Sequence, residues 1–322
     1  MLRDDHVGPS PFAASCHIGF MQKALGDSVA SLPAIRFALR TYPDTVFQIW
    51  PPDYMVPLVE AALAEFPNKI VRPASRINTE ADFTLPAALN KYKDGYTTLK
   101  TPLVPYAYRC ILDMDPPTIA DQNYVQIMPQ PLSPALKAQL GDTPYVVFTT
   151  NYTSKTRVFT GAVANPVIDY VLARGYRPVF LGQKSVPLGG GAAIGTSTSD
   201  IDVSRGLSLL DATTLMEAQA ILAGARAVVG VDNGLLHLAA TSDVPIVAGF
   251  TNVAAHTREP YRHGEKAWNW RSIEPPKSLK CAPCQSKFHF CYKVKFTLCE
   301  YGDYLCNQLD PKLFINALEE FL

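Results

Sequence analysis

The sequence predicts an α/β fold made of two halves, each with strands and helices in alternation. In the first half, a β-rich segment at Val46–Trp50 lies between helix-like segments at 29–41 and 54–66. In the second half, apolar strand-like segments at Tyr145–Thr149 and Ala227–Val231 are separated by helix-like ones. Such alternation is typical of parallel sheets built from βαβ units. The length of 322 residues fits about two domains.

A proline-rich joint at 128–144 separates the halves, with three prolines within six residues. We therefore place an N-terminal domain at residues 1–135 and a C-terminal domain at 136–310, the latter with a cysteine-rich loop at 277–306. Residues 311–322 have the pattern of an amphipathic terminal helix, with proline in its first turn.

Composition argues against several classes of function, although it leaves room for a local basic patch. The chain has 29 Lys and Arg against 29 Asp and Glu, so its formal net charge is zero, and 48% of its residues are apolar. A neutral chain has no overall basic surface for nucleic acid or anionic membranes. The N-terminus lacks the apolar core of a secretion signal, and no window has the roughly 18 apolar residues of a membrane span. We expect a cytoplasmic protein without a transmembrane segment.

The most informative stretch, residues 228–240, predicts a strand, a tight turn and the start of a helix. Asp232 and Asn233 lie in the turn, where unpaired amides and the helix dipole attract phosphate. Gly234 would let a ligand approach the backbone, and His237 follows one turn later. The alternative is an Asp/Asn helix cap followed by a buried histidine.

This stretch resembles the D-x-G-x-x-H-L-A-A signature of family 9 glycosyltransferases, which include the heptosyltransferases of lipopolysaccharide core synthesis. Further segments match in the family's order. Residues 24–35 resemble its G-D-x-x-x-x-L-P-A-L segment. Residues 145–181 resemble a stretch of the family that consists of a strand, a Lys-x-Trp-Pro segment, a helix and a second strand. Residues 245–251 resemble the strand that closes the donor site. Residues 281–284 resemble a cysteine cluster seen in many members.

The resemblance implies a GT-B architecture, in which two Rossmann-like domains face a cleft. The C-terminal domain would bind a nucleotide sugar and the N-terminal domain an acceptor, and the terminal helix would pack back on the N-terminal domain. The implied reaction is an inverting, metal-independent transfer to a glycan, with Asp27 as the catalytic base. The alternative for Asp27 is a cap on the helix that follows it.

The candidate donor-binding residues are Lys155, Arg157, Glu217, Asp232, Asn233, Gly234, Leu235 and His237. The amides of Gly234 and Leu235, His237 and one cation would stabilise the leaving diphosphate. Arg157 fits the register of the family's lysine, from which Lys155 is two residues away, but both could be solvated loop charges. Glu217 could contact the ribose, or it could form a capping box with Thr214.

Five of the seven cysteines fall within 26 residues: Cys281, Cys284, Cys291, Cys299 and Cys306. Any four of them could bind a structural zinc, and thiolates at Cys-x2-Cys spacing suit that metal. Reduced cysteines or partial disulfides are the alternative. Because a site saturated by sulfur has no open position, no catalytic metal is implied.

The cysteine-rich stretch also bears on the acceptor. Between Glu274 and Glu300 there are five lysines, several aromatic residues and no acids. Such a mixture can bind nucleic acid, so a second hypothesis is glycosylation of hydroxymethylated pyrimidines in DNA. The simpler interpretation is an ordinary solvated loop. A third hypothesis is an inactive nucleotide-binding module, against which Asp27, Asp232 and His237 argue.

Overall fold

The computed structural model describes residues 14–20, 24–76, 101–150, 154–187, 194–196, 200–284, 299 and 301–322. Helices and strands are numbered here in chain order. The first sheet has three parallel strands in the order β1-β2-β3. Its strands are β1 (Ser15–Gly19), β2 (Val46–Trp50) and β3 (Lys69–Val71). The helices of this part are α1 (Leu25–Thr41), α2 (Val56–Ala62), α3 (Leu103–Leu112) and α4 (Pro134–Leu140).

The second sheet has six strands, all parallel, in the order β13-β10-β9-β4-β5-β8. They are β4 (Tyr145–Thr149), β5 (Arg177–Gly182), β8 (Leu207–Leu210), β9 (Ala227–Val231), β10 (Ile246–Gly249) and β13 (Trp270–Ile273). Two antiparallel pairs lie outside it: β6 (Ser185–Pro187) with β7 (Ile194–Thr196), and β11 (Tyr261–Arg262) with β12 (Glu265–Lys266). The helices are α5 (Gly161–Ala173), α6 (Leu215–Ala223), α7 (Gly234–Ala239) and α8 (Pro311–Glu319).

The central strands of this sheet are buried on both faces. Every residue of β9 is buried, and so are four of the five residues of β4. Continuous apolar runs of this kind are what a parallel sheet covered by helices requires. The predicted α/β architecture with parallel sheets is therefore confirmed.

The chain direction across the second sheet reverses between β4 and β9. From β4 the chain moves outward to β5 and β8, then returns to β9 beside β4, and moves outward again to β10 and β13. In open α/β sheets, ligands bind beyond the carboxyl ends of the strands at such a switch point. Residues that follow β4 and β9 are therefore placed for binding.

One continuous apolar core joins the two sheets. It contains Leu32 and Ile35 of α1 together with Leu236 and Leu238 of α7. Two glycines bring these helices together: a Cβ on Gly234 would lie 2.7 Å from the Cβ of Leu25, and one on Gly26 would lie 2.7 Å from Cδ2 of His237. The start of α1 thus rests directly on α7.

The terminal helix departs from the expectation. Helix α8 packs on α5, β10 and β13, all within the C-terminal half. The ring centroids of Phe314 and Phe159 are 5.6 Å apart. The Tyr176 hydroxyl donates to the Leu322 carbonyl at 3.0 Å. The expectation that this helix packs back on the N-terminal domain is wrong, because its apolar face completes the core of the C-terminal half.

The boundaries placed at residues 135 and 310 stay predictions. The strands of the two large sheets do fall on either side of the proline-rich joint. None of the helices in the described ranges combines the length and the apolar character that crossing a lipid bilayer requires.

Candidate active site

Asp232 is the centre of a buried cluster of charged side chains at the switch point. It directly follows β9 and is only 4% exposed. Nη1 of Arg157 donates to its Oδ2 at 3.0 Å. On the other side, Nε of Arg258 and Nε2 of His237 each lie 3.7 Å from its Oδ1. One carboxylate therefore faces two guanidinium groups and one imidazole.

This environment keeps Asp232 ionised. Burial alone would raise the pKa of Asp232, but Arg258, His237 and Arg157 together hold it well below its usual value. A buried carboxylate is stable only with such compensation. Asp232 in turn fixes the positions of the two arginines.

Asp27 reaches the same cluster from the first half of the chain. It lies inside the first turn of α1, whose N-cap is Ala24. The helix starts earlier than the apolar spacing indicates, so Asp27 does not occupy the capping position. Burial raises the pKa of Asp27, Arg258, His237 and Arg157 oppose the rise, and Asp232 adds to it. A carboxyl group whose pKa is raised is a stronger base.

The structure separates the two candidate cations. Arg157 pairs with Asp232 and its side chain is 16% exposed, whereas the side chain of Lys155 is exposed to solvent. Arg157 is therefore the cation that this loop brings to the switch point.

The 154–157 loop that carries Arg157 is held by buried polar side chains. Asn307 Nδ2 donates to the Lys155 carbonyl at 2.7 Å, and Asn252 Nδ2 donates to Thr156 Oγ1 at 2.6 Å. The Thr251 hydroxyl donates to the Thr156 carbonyl. Asn307 immediately follows Cys306, so the cysteine-rich segment helps to position this loop.

Asn233 is the N-cap of α7, as the alternative interpretation predicts. Its Oδ1 accepts from the amides of Leu235 and Leu236 at 2.9 and 3.2 Å, and its Nδ2 donates to Thr149 Oγ1 at 3.1 Å. The amide of Leu235 is thus engaged inside the helix cap. Gly234 accommodates Leu25 of α1. Both features expected to contact a ligand have partners within the protein.

Glu217 is likewise a helix-capping residue. Its carboxylate accepts from the amide and the hydroxyl of Thr214 at 2.9 and 3.0 Å, and its own amide donates to the Thr214 hydroxyl. This is a complete capping box at the start of α6. A contact with a ribose stays a prediction.

Two residues of the site were not found from the sequence. Arg258 is 6% exposed, and its Nη1 donates to Thr257 Oγ1 at 2.9 Å. Tyr124 is 3% exposed, and its hydroxyl lies 2.8 Å from Nδ1 of His237. Arg258 follows β10 by several residues, so the only available signal was a cation beyond the carboxyl end of a buried strand.

The cysteine cluster is described in part. Cys306 is buried, Cys281, Cys284 and Cys299 are half-buried, and Cys291 lies outside the described residues. Burial raises the pKa of the Cys306 thiol to about 12, with Cys299 and Cys281 adding to the rise. Within the described ranges, no three His, Cys, Asp or Glu side chains are grouped to hold a metal ion. The zinc site stays a prediction.

The basic and aromatic stretch that could bind nucleic acid lies mainly outside the described residues. Lys277 and Lys280 are exposed, and residues 285–298 are outside the description. The DNA hypothesis therefore stays a prediction.

Comparison with solved structures identifies the fold. TibC, an iron-containing dodecameric glycosyltransferase of enterotoxigenic E. coli H10407, is 16% identical with a TM-score of 0.64, over 95% of this chain and 75% of that one. The E. coli ADP-heptose lipopolysaccharide heptosyltransferase II is 14% identical with a TM-score of 0.57, over 95% and 98%. A family 9 glycosyltransferase from Veillonella parvula DSM 2008 is 12% identical with a TM-score of 0.57, over 95% and 96%. The fold is the GT-B fold of glycosyltransferases.

The sequence comparison identifies the family. The model of glycosyltransferase family 9 (heptosyltransferase) matches residues 107–287, which is more than half of the chain. This protein belongs to glycosyltransferase family 9. A search of curated proteins finds no match.

Proposed function

We propose that this protein is an inverting, metal-independent glycosyltransferase that moves a sugar from a nucleoside diphosphate sugar to a hydroxyl of a lipopolysaccharide-type glycan. The observation that carries this proposal is one buried cluster at the switch point of the C-terminal sheet. In it Asp27, from the first half of the chain, acts electrostatically on Asp232, Arg157, Arg258 and His237. Family membership supports the reaction class.

In the proposed mechanism, Asp27 is the general base. It removes the proton of the acceptor hydroxyl while that oxygen attacks the anomeric carbon from the face opposite the diphosphate. The new glycosidic bond forms as the bond from the anomeric carbon to the diphosphate oxygen breaks. The proton ends on the Asp27 carboxylate, and the anomeric configuration inverts.

The same cluster supplies positive charge and N–H donors that would stabilise the leaving diphosphate. A nucleoside diphosphate carries developing negative charge, which preorganised cations and N–H donors stabilise. The Asp232 carboxylate is surrounded by Arg157, Arg258 and His237. We assign them to the diphosphate, with Asp232 holding them in place.

The relatives suggest which donor to test first. TibC has been solved with ADP-D-β-D-heptose, with a TM-score of 0.61 to this chain. The experiment incubates the protein with ADP-heptose and with UDP- and GDP-sugars, in EDTA, with a truncated lipopolysaccharide core or with hydroxymethylated DNA. We expect the glycan to gain one sugar mass with inverted anomeric configuration by NMR.

Asp27→Asn tests the base. We expect turnover to fall by about 10²–10⁴-fold with nucleotide affinity retained, because only the proton acceptor is lost. Asp169→Asn is the control, since Asp169 lies exposed on α5 and pairs with Arg205. Unchanged turnover in Asp27→Asn would overturn the base assignment. Transfer of sugar to DNA but not to the glycan would favour the DNA hypothesis. Nucleotide binding without any turnover would favour the inactive nucleotide-binding module.

We also propose that four of the clustered cysteines bind a structural metal that cross-links the segment before α8. The support is the Cys-x2-Cys spacing of Cys281 and Cys284 and the burial of Cys306. Because TibC is described as iron-containing, elemental analysis of purified protein should test for iron as well as zinc. About one metal per chain is expected, and a folded, metal-free protein with free thiols would refute the proposal.

A further inference from the structure

A hydrogen bond joins Tyr124, in the segment between the two large sheets, to His237 in the candidate active site. We propose that Tyr124 is a positioning residue that keeps the His237 proton on Nε2, so that this histidine presents an N–H donor to the donor diphosphate and does not serve as a base. The inference about the ligand rests on the proposed function, whereas the position of the proton does not.

The geometry holds both rings firmly. The Tyr124 hydroxyl lies 2.8 Å from His237 Nδ1, and the rings are nearly parallel, with an interplanar angle of 14°. Tyr124 is 3% exposed and His237 is 4% exposed. The Tyr124 amide donates to the Tyr261 carbonyl at 2.8 Å, and the Ile127 amide donates to the Thr241 carbonyl at 2.9 Å. The backbone that carries Tyr124 is therefore fixed to the C-terminal half.

The direction of this hydrogen bond follows from the burial of Tyr124. Burial raises the pKa of Tyr124 well above its ordinary value, so the hydroxyl keeps its proton. Within the described part of the chain, Nδ1 of His237 is its one hydrogen-bond partner. A buried O–H donor must be satisfied, so Tyr124 donates and Nδ1 accepts. The proton of the neutral imidazole is then on Nε2.

The opposite edge of the ring selects the same tautomer. Nε2 lies 3.7 Å from Oδ1 of the ionised Asp232. A lone pair on Nε2 would face this negative charge, whereas an N–H is attracted to it. Since 3.7 Å exceeds an ordinary hydrogen bond, the N–H still has capacity for a ligand oxygen.

This tautomer divides the chemical roles within the site. An N–H donor suits an anionic phosphate oxygen. In this tautomer the imidazole has its available lone pair on Nδ1, and Tyr124 donates to it. His237 therefore cannot take the proton of the sugar acceptor's hydroxyl. Cδ2 of His237 faces Gly26, the neighbour of Asp27. The base role therefore falls to Asp27.

The proton position can be measured without substrate. Imidazole ¹⁵N NMR of histidine-labelled protein separates the two tautomers, and His237→Gln identifies the His237 signals among the six histidines. We expect the Nε2–H tautomer in the wild type. We expect a shift toward a mixture in Tyr124→Phe, which keeps the ring but loses the donor.

Activity supplies the second measurement. Losing one neutral hydrogen bond corresponds to about a 2–10-fold change, so we expect Tyr124→Phe to weaken ADP binding and lower turnover by that factor. Tyr108→Phe is the matched control, because the buried Tyr108 hydroxyl donates to the Asp121 carbonyl at 2.9 Å. It should lower stability but leave the tautomer and the ADP affinity unchanged.

Two results would overturn the proposal: an Nδ1–H signal for His237 in the wild type, or a wild-type tautomer together with wild-type ADP affinity in Tyr124→Phe. Failure of the proposed function is a different result. If no sugar is transferred from any donor but His237 is protonated on Nε2, the tautomer assignment holds and the glycosyltransferase proposal fails.

Discussion

Replacing Asp232 by Asn removes one negative charge and leaves the shape of the side chain nearly unchanged. With an effective dielectric constant of about 20, unit charges attract by about 5.5 kcal/mol at the 3.0 Å separation from Arg157. At the 3.7 Å separation from Arg258 the attraction is about 4.5 kcal/mol. Desolvation offsets much of this gain, and breaking a buried pair costs about 3–5 kcal/mol. We expect Asp232→Asn to lower the free energy of unfolding by that amount.

Urea denaturation at pH 7, followed by tryptophan fluorescence, measures this loss. A double-mutant cycle with Arg157→Met should give a coupling of about 1–3 kcal/mol, since the side chains are in direct contact. Asp243→Asn is the control: its partner His263 is 58% exposed, and such pairs contribute about 0–1 kcal/mol. A loss below about 1 kcal/mol in Asp232→Asn would refute the cluster as a source of stability.

The two aspartates of the site should act on stability with opposite signs. Asp232 has a pKa below its unfolded value, so its contribution is present above about pH 4 and is lost as the pH falls further. Asp27 has a raised pKa, so the folded state binds its proton more readily and its ionisation destabilises the fold as the pH rises. At neutral pH, Asp27→Asn should therefore be at least as stable as the wild type.

Two further variants test the supports of the site. Asn307→Ala removes the donor to the Lys155 carbonyl, so we expect the loop that carries Arg157 to loosen. Steady-state kinetics should then show a raised KM for the nucleotide sugar and an unchanged KM for the acceptor. Arg262 is 2% exposed and donates to the carbonyls of Ala239 and Ala240 at the end of α7 and to Oδ1 of Asn269. Arg262→Lys cannot satisfy all of these acceptors, and urea denaturation should show a loss of about 2–4 kcal/mol.

The fold was predictable because its signals are local. The apolar runs of β4 and β9 and the helical spacing between them show a parallel sheet directly. The packing of α8 was not predictable in the same way. Its amphipathic pattern shows that one face is buried, but the partners of that face, helix α5 and Phe159 just before it, are set by tertiary structure.

The site was predictable only where one motif carries it. Asp232 and His237 stand five residues apart in the same turn and helix, and Asp27 was found through the second motif. Tyr124 and His237 are 113 residues apart in the chain, and no spacing connects them. Asn233 and Glu217 resemble ligand-binding residues in sequence because the groups that cap helix amides also bind polar ligands.

The two motif glycines explain why these motifs occur together. A glycine beside a helix N-terminus suggests space for phosphate, yet here Gly234 faces Leu25 and Gly26 faces His237. Any Cβ at either position would separate α1 from α7. Because Asp27 follows Gly26 directly, that separation would also withdraw the carboxylate from Arg157, Arg258 and His237, which influence its pKa. The glycines therefore act by closing the two halves of the chain around one shared cluster of charges.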